Sequence, residues 1–234
     1  MTVRNAEEVA KSYQETMGPN LGSMFCALYF DVAHLHEKWG QYKELFATSE
    51  DRVQMLNRAA PGLFGSLQRT LWTDIILHVA RINDKPSTAG RANLTLRSLV
   101  QAVEEPGFRS ELTSLADRAR ELARFCTDWR NRKLAHKDLD LAIQKAAKPL
   151  EAASRAKVQD ALGSIADLMN SINLHFCDSE IIFLEEWGAQ NAQNVLHVLS
   201  DGLHLEEIRT SYHKAGKLVP EFLRSRGTGV DCSP

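Results

Sequence analysis

Arg130-Asn131-Arg132-Lys133-Leu134-Ala135-His136 sets guanidinium groups, an amide and an imidazole within one short stretch. An imidazole gains and loses a proton near neutral pH, whereas a guanidinium stays charged, so together they offer proton transfer beside a fixed cation. Spacing complicates that reading. Six residues at about 100° each leave Arg130 and His136 about 120° apart around a straight helix. Convergence needs a distorted helix, a long Arg130 reaching round, or two chains supplying one site. Arg132, four residues before His136, shares its face and stands second to Arg130.

These residues close a strongly patterned helix. Leu112, Leu115, Ala119, Leu122, Cys126 and Trp129 recur alternately three and four apart, the seam of a helix packed on other helices. Lys133 and His136 take the next places in that register, so the seam turns cationic while still pointing at a helix-lined cleft or a subunit interface. Two such seams crossing about a two-fold axis would bury the apolar part, which predicts a dimer. The helix is predicted over about 109 to 146, with Pro149 past its end. Between Asp117 and Lys137 lie Arg118, Arg120, Arg124, Arg130, Arg132, Lys133 and Lys137, against Asp117, Glu121 and Asp128. Phosphate would be attracted to this local excess, although pairs such as Asp128 with Arg132 equally fit a solvated helix face.

Nearly every other segment reads as helix. Residues 3 to 17 form an amphipathic helix stopped by Gly18-Pro19, and 21 to 46 a long one rich in aromatics. Thr48-Ser49-Glu50-Asp51 starts the next, with Thr48 and Asp51 spaced as a capping box. Pro61-Gly62 interrupts it, and Phe64, Leu67, Leu71, Ile75, His78 and Ile82 then share one stripe as far as Asn83-Asp84-Lys85-Pro86. A loop over 85 to 93 precedes a short helix at 94 to 104 and a break at Pro106-Gly107. Residues 154 to 176 and 190 to 212 are helical, and the apolar run Ile181 to Leu184 is assigned to helix as well. Trp72 and Trp129 are core residues, and Arg81 and Asp84, three apart, pair to support the cleft. The fold class is all-α, an antiparallel helical bundle, with residues 1–213 as one domain and 214–234 as a poorly ordered tail.

Composition narrows the function classes. A formal charge of -2 denies the chain the global basic field of a general nucleic-acid binder, so attraction to phosphate is local. Cys26, Cys126, Cys177 and Cys232 are scattered, without zinc or disulfide spacing, which reads as cytoplasmic. No signal peptide or membrane-spanning run is visible. His34 and His36 sit about 200° apart on a helix, His78 lies on an apolar stripe, and His197 and His204 share a face without a completing acid. No metal or cofactor is expected, and glycine-loop, nucleophile-elbow and dinucleotide motifs are missing.

Arg130-Asn131 through His136 resembles the R-x(4-6)-H motif, with a polar residue after the arginine, of the HEPN superfamily of all-α nucleases. Trp72 to Asp84, then Asn93-Leu94-Thr95-Leu96, then the motif helix, is similar to the abortive-infection, AbiU-like branch, over about residues 50 to 175. The resemblance implies metal-independent RNA cleavage at a site between two subunits of a toxin or phage-defence protein. It implies Arg130, His136 and Asn131 as catalytic residues and an RNA substrate contacted by Arg132, Lys133, Lys137 and Arg124. It further implies support from Arg81 and Asp84, a homodimer, and an antitoxin protein as partner. The alternative is a non-catalytic helical module of the same fold that binds RNA, nucleotide or a partner protein.

Overall fold

The computed structural model describes residues 5–134, 139, 143 and 149–224. His136, Lys137 and Cys232, and the end of the expected tail from 225 on, lie outside the described residues. The described helices are α1 (Ala6–Met17), α2 (Pro19–Phe46), α3 (Glu50–Ala59), α4 (Pro61–Ile82), α5 (Leu96–Ala102), α6 (Pro106–Leu122), α7 (Arg124–Trp129), α8 (Arg155–Cys177) and α9 (Glu186–Lys214). Among the described residues, strand is confined to a hairpin pairing Ser87–Thr88 with Arg91–Ala92. The all-α class is as expected.

Starts and stops follow local chemistry. Asn5 caps α1 reciprocally with Glu8, Ser154 caps α8, and Pro19, Pro61 and Pro106 occupy first turns, where a missing N–H costs nothing. Pro106-Gly107 therefore opens a helix instead of breaking one. Ser49, not Thr48, caps α3, accepting from the Arg52 N–H, while the Thr48 hydroxyl turns back to the Lys43 carbonyl.

The main core gathers Phe25, Leu28, Val32, Leu35 and Trp39 of α2 with Ile75, Ile76 and Val79 of α4 and Val158, Leu162, Ile165 and Leu168 of α8. A smaller cluster of Leu45, Leu56, Phe64, Ala192 and Leu196 joins α2, α3, α4 and α9. The seam residues Leu112 and Ala119 are fully buried where α6 packs on α8, and Cys126 is fully buried on α7. They are not left for a second copy. Leu115, Leu122 and Trp129 of the same seam are only partly buried.

The expected single helix from 109 to 146 is divided. Ala123 takes φ -88 and ψ 2, ending α6, and α7 then runs into a π-helical turn over Arg130–Leu134. In a straight helix Phe125 would lie about 90° from the middle of the seam. The break lets Phe125 and Cys126 both reach the core. Burial pushes the Cys126 thiol up to about 12, which leaves it inert as a nucleophile at neutral pH.

Residues 179–184 are not helical, contrary to the assignment of Ile181 to Leu184. Asn170 supplies a substitute backbone partner, its amide donating to the Ile181 carbonyl at 3.0 Å and accepting from the Ile181 N–H at 2.7 Å. Asn173 does the same for the Ser179 carbonyl. The extended segment lets Phe183 stack on His36 and brings Glu185 against His36, Lys43 and Gln159. Gly40 faces the Glu185 carbonyl and Gly188 the Glu37 carbonyl, so closely that a Cβ at either would collide with backbone.

Two carboxylates are held in their charged form. Burial raises the Asp31 carboxyl, but His78 and Arg81 outweigh it and hold the group down at about 2. Burial likewise raises Glu185, and His36, Lys43 and Gln159 hold it down at about 2.

Gly40→Ala and Gly188→Ala should each lower stability, measured as a urea midpoint. The helix-propensity gain of about 1 kcal/mol is smaller than the overpacking cost of up to about 3 kcal/mol against rigid backbone. Asp31 and Glu185 stabilise fully above their ordinary values of 3.8 and 4.5, and lose that contribution as pH falls through about 2. Asp31→Asn and Glu185→Gln should thus flatten the fall in urea midpoint over that acid window. A fall as steep as in wild type would contradict this.

Candidate active site

A cleft of about 770 Å³ opens where the C-terminal end of α4, the hairpin, α5, α6 and the start of the π turn meet. Asn83, Asp84, Pro86, Thr88, Arg97, Gln101, Arg120, Thr127, Arg130 and Asn131 contribute to its walls. It brings three of the expected site residues together: Arg130, Asn131 and Asp84.

Arg130 Nη1 donates to Asp84 Oδ2 at 2.7 Å, and Arg130 Nε donates to Asn131 Oδ1 at 3.0 Å. Asp84 is aimed by its own turn, since its Oδ1 accepts the Lys85 N–H at 2.9 Å as the chain leaves α4. Pro86 then forbids further helix, and the Asn83 amide donates to the Val79 carbonyl to close the helix end. With its oxygen occupied by Arg130, the Asn131 side chain has its amide N–H groups left to donate. The Arg130 side chain is 23% exposed, enough for an anion to reach it from the cleft.

The opposite side of the turn is strapped down as well. Asp128 Oδ2 accepts the Glu151 N–H at 2.8 Å, and Trp129 Nε1 donates to the Glu151 carbonyl at 2.8 Å. Trp129, like Trp72, packs on the main core.

Other expected residues are placed differently. Arg81 pairs with Asp31 at 2.7 Å and Asp84 with Arg130, so Arg81 and Asp84 do not pair with each other. Arg81 faces α2, whereas Asp84 has already left the helix and turns toward α7. Arg132 lies 3.6 Å from Asp128 and near the Pro149 carbonyl, outside the walls of the cleft. Lys133 covers the Trp129 ring at 4.3 Å from its centroid. Arg124 pairs with Glu121 and Glu151 in a neighbouring groove. Hydrogen bonding to Glu151 raises its guanidinium further above the ordinary value.

The cleft draws cations from elsewhere. Lys85 on the loop, Arg97 on α5 and Arg120 on α6 line it, and only Arg120 belongs to the cluster visible in the sequence. Arg97 follows the Thr95 capping box, a start signal that places it on the first turn of α5. The hairpin forming the lip turns at Ala89 and Gly90, both at positive φ, and is tied at its base by Asn93 to the Lys85 and Pro86 carbonyls. Another cavity of about 620 Å³ lies between α2 and residues 182–186. Its cations Lys43 and Arg155 are bound to Glu185 and to the Ala47 carbonyl. Among the described residues no group of three or more His, Cys, Asp and Glu gathers to hold a metal ion.

An all-α bundle that opens a motif arginine and its polar neighbour into a cleft has the HEPN type of architecture. The sequence profile of one HEPN family, described as AbiU2, matches residues 19–197, and the chain belongs to that family. The match is wider than the expected 50 to 175, taking in α2 and the start of α9. No curated protein and no solved structure matches the chain.

A double-mutant cycle on Asp84 and Arg130, read by urea unfolding, should return a coupling of about 1 kcal/mol, as for a partly exposed ion pair. The same cycle on Arg81 and Asp84 should return about zero. Equal coupling in both cycles would contradict the pairing described.

Proposed function

We propose that this chain is a metal-independent endoribonuclease of a toxin or phage-defence system, acting as a homodimer whose subunits complete each other's sites. The observation that carries the reading is Arg130, held in a cationic cleft by Asp84 and Asn131 with its guanidinium still accessible. The AbiU2 family match supports it.

In the proposed reaction the substrate 2′-hydroxyl attacks the adjacent phosphorus. The new 2′-O–P bond forms as the P–O5′ bond breaks, giving a 2′,3′-cyclic phosphate and a 5′-hydroxyl. A proton leaves the 2′-oxygen and one reaches the departing 5′-oxygen, transfers suited to the imidazole of His136. Arg130 neutralises charge gathering on the phosphorane, and the Asn131 amide N–H groups orient a non-bridging oxygen. Asp84 is a positioning residue, directing Arg130 without touching the substrate.

The dimer rests on helical geometry. Arg130 already extends toward Asp84, so it does not reach round the helix. The helix is distorted at Arg130–Leu134, but a π turn rotates each residue less than an α turn. Of the three routes to convergence, we take the one in which a second chain supplies His136, since Arg130 is engaged at Asp84. An antitoxin protein is the proposed additional partner. Among the described residues no helix is long and apolar enough to cross a membrane.

The same Asp84–Arg130 pair also suits a non-catalytic module in which Arg130 only braces the turn. Product chemistry separates the readings. The purified protein should cut single-stranded RNA in EDTA and leave 2′,3′-cyclic phosphate ends. His136→Ala and Arg130→Ala should each lose at least about a hundredfold in rate while remaining folded. Intact RNA after incubation with wild type would establish the binding module instead, and equal cutting by His136→Ala would contradict the role given to His136.

A further inference from the structure

The cleft does not end at Arg120. Arg97, Arg120 and Thr127 line both it and a second groove of about 570 Å³, which continues along α6 to Arg124. The two hollows adjoin across these three shared residues, and we refer to them together as the channel leading away from Arg130. Its walls carry Lys85, Arg97, Arg120, Arg124 and Arg130 against Asp84, Asp117 and Glu121. The excess is greatest in the cleft, where Asp84 is the lone carboxylate in the wall among the described residues. This concentration stands inside a chain of formal charge -2, so it is a local feature and not the overflow of a basic protein.

The charges along the channel are also available. Arg120 is exposed and has no ion-pair or hydrogen-bond partner among the described residues. Arg97 pairs with Asp117, but their side chains are 38% and 58% exposed, and a pair so solvated contributes little. That pairing engages Nη2 and leaves Arg97 Nε buried without an acceptor, so the guanidinium is under-satisfied where it stands. Arg97 therefore has little to lose in exchanging Asp117 for a phosphate, which accepts from a guanidinium in bidentate fashion. Arg124, bonded to both Glu121 and Glu151, is the least free of the cations along the channel.

We propose that this channel is a phosphate track that seats the backbone of the RNA strand flanking the cleavage point, with Arg97 and Arg120 as its principal contacts. The proposal rests on the ribonuclease reading for the identity of the strand. A strand whose phosphate reaches Arg130 must leave the cleft, and the channel gives it a cationic exit. Of the cations the sequence favoured for this role, Arg132 and Lys133 turn toward Asp128 and Trp129, Arg124 lines the second groove, and Lys137 lies outside the described residues. Backbone contacts of this kind confer affinity and register without base selectivity.

The test is fluorescence anisotropy with a fluorescein-labelled 2′-O-methyl oligouridylate. This probe lacks the attacking hydroxyl, so binding is read whether or not the protein cleaves RNA. Failure of the track and failure of the nuclease reading are thereby distinguished. Arg97→Ala/Arg120→Ala should weaken binding about tenfold or more at low salt, and reduce the slope of log K against log salt by about 1.4, two phosphate contacts at about 0.7 each. Arg120→Lys should retain most of the affinity, and Arg118→Ala, on the same helix but lining neither groove, should change nothing. Should the double variant unfold, Arg120→Glu serves alone, since that side chain makes no hydrogen bond or ion pair among the described residues. The track is overturned if wild type does not bind the probe or if Arg120→Glu or the folded double variant binds with unchanged affinity and slope. It is overturned equally if Arg118→Ala weakens binding as much as Arg120→Ala, or if polyglutamate displaces the probe at lower concentration than unlabelled oligouridylate. That last result would mark the channel as a seat for an acidic protein segment.

Discussion

The ion pair between Asp84 and Arg130 joins the end of α4 to the π turn, and the geometry of the cleft depends on it. Asp84 is fixed from behind by the Lys85 N–H, so the carboxylate has little freedom of its own. Arg130 is fixed in turn by Asp84 and Asn131. A long side chain loses up to about 2 kcal/mol of rotamer entropy when ordered, and here that loss is met in the free protein. An anion arriving in the cleft would meet a preformed cation, which is the condition for electrostatic stabilisation of developing charge.

Local patterns carried much of this architecture, and their limits have physical causes. The stripe from Phe64 to Ile82 and the seam from Leu112 to Cys126 are visible as helix because burial imposes the period. Their partners are not visible: the seam's periodicity is the same whether it meets α8 or a second chain. The break at Ala123 carries no local signal, since alanine is the best helix former, and it exists because Phe125 must also enter the core. Ile181 to Leu184 looks helical as an apolar run and is not helical, since Asn170 on the preceding helix takes both backbone groups of Ile181 and Asn173 the Ser179 carbonyl just before it. In the site, Arg130 and Asn131 were legible as a motif. Asp84 was legible as a residue but not as the partner of Arg130, and Arg97 was invisible because its role comes from the packing of α5 on α6.

The charge distribution shows the same separation between sequence and space. The run from Asp117 to Lys137 looks like one basic patch, yet the described members of it divide among several faces. Arg124 turns to Glu121 and Glu151, Arg132 to Asp128, and Lys133 to Trp129. What remains directed into the cleft is Arg120 and Arg130, joined there by Lys85 and Arg97 from elements distant in sequence. Cations near one another on a helix spread around it, whereas cations from different elements converge on a concavity.

The central claim is that Arg130 of one subunit works with His136 of another. Mixing separately purified Arg130→Ala and His136→Ala proteins and allowing subunits to exchange tests it directly. In a mixed dimer one site would receive both intact residues and the other neither. Equal mixing should then restore about a quarter of wild-type ribonuclease activity, since half the dimers are mixed and each carries one working site. Activity no higher than that of either variant alone, with exchange verified, would contradict the account.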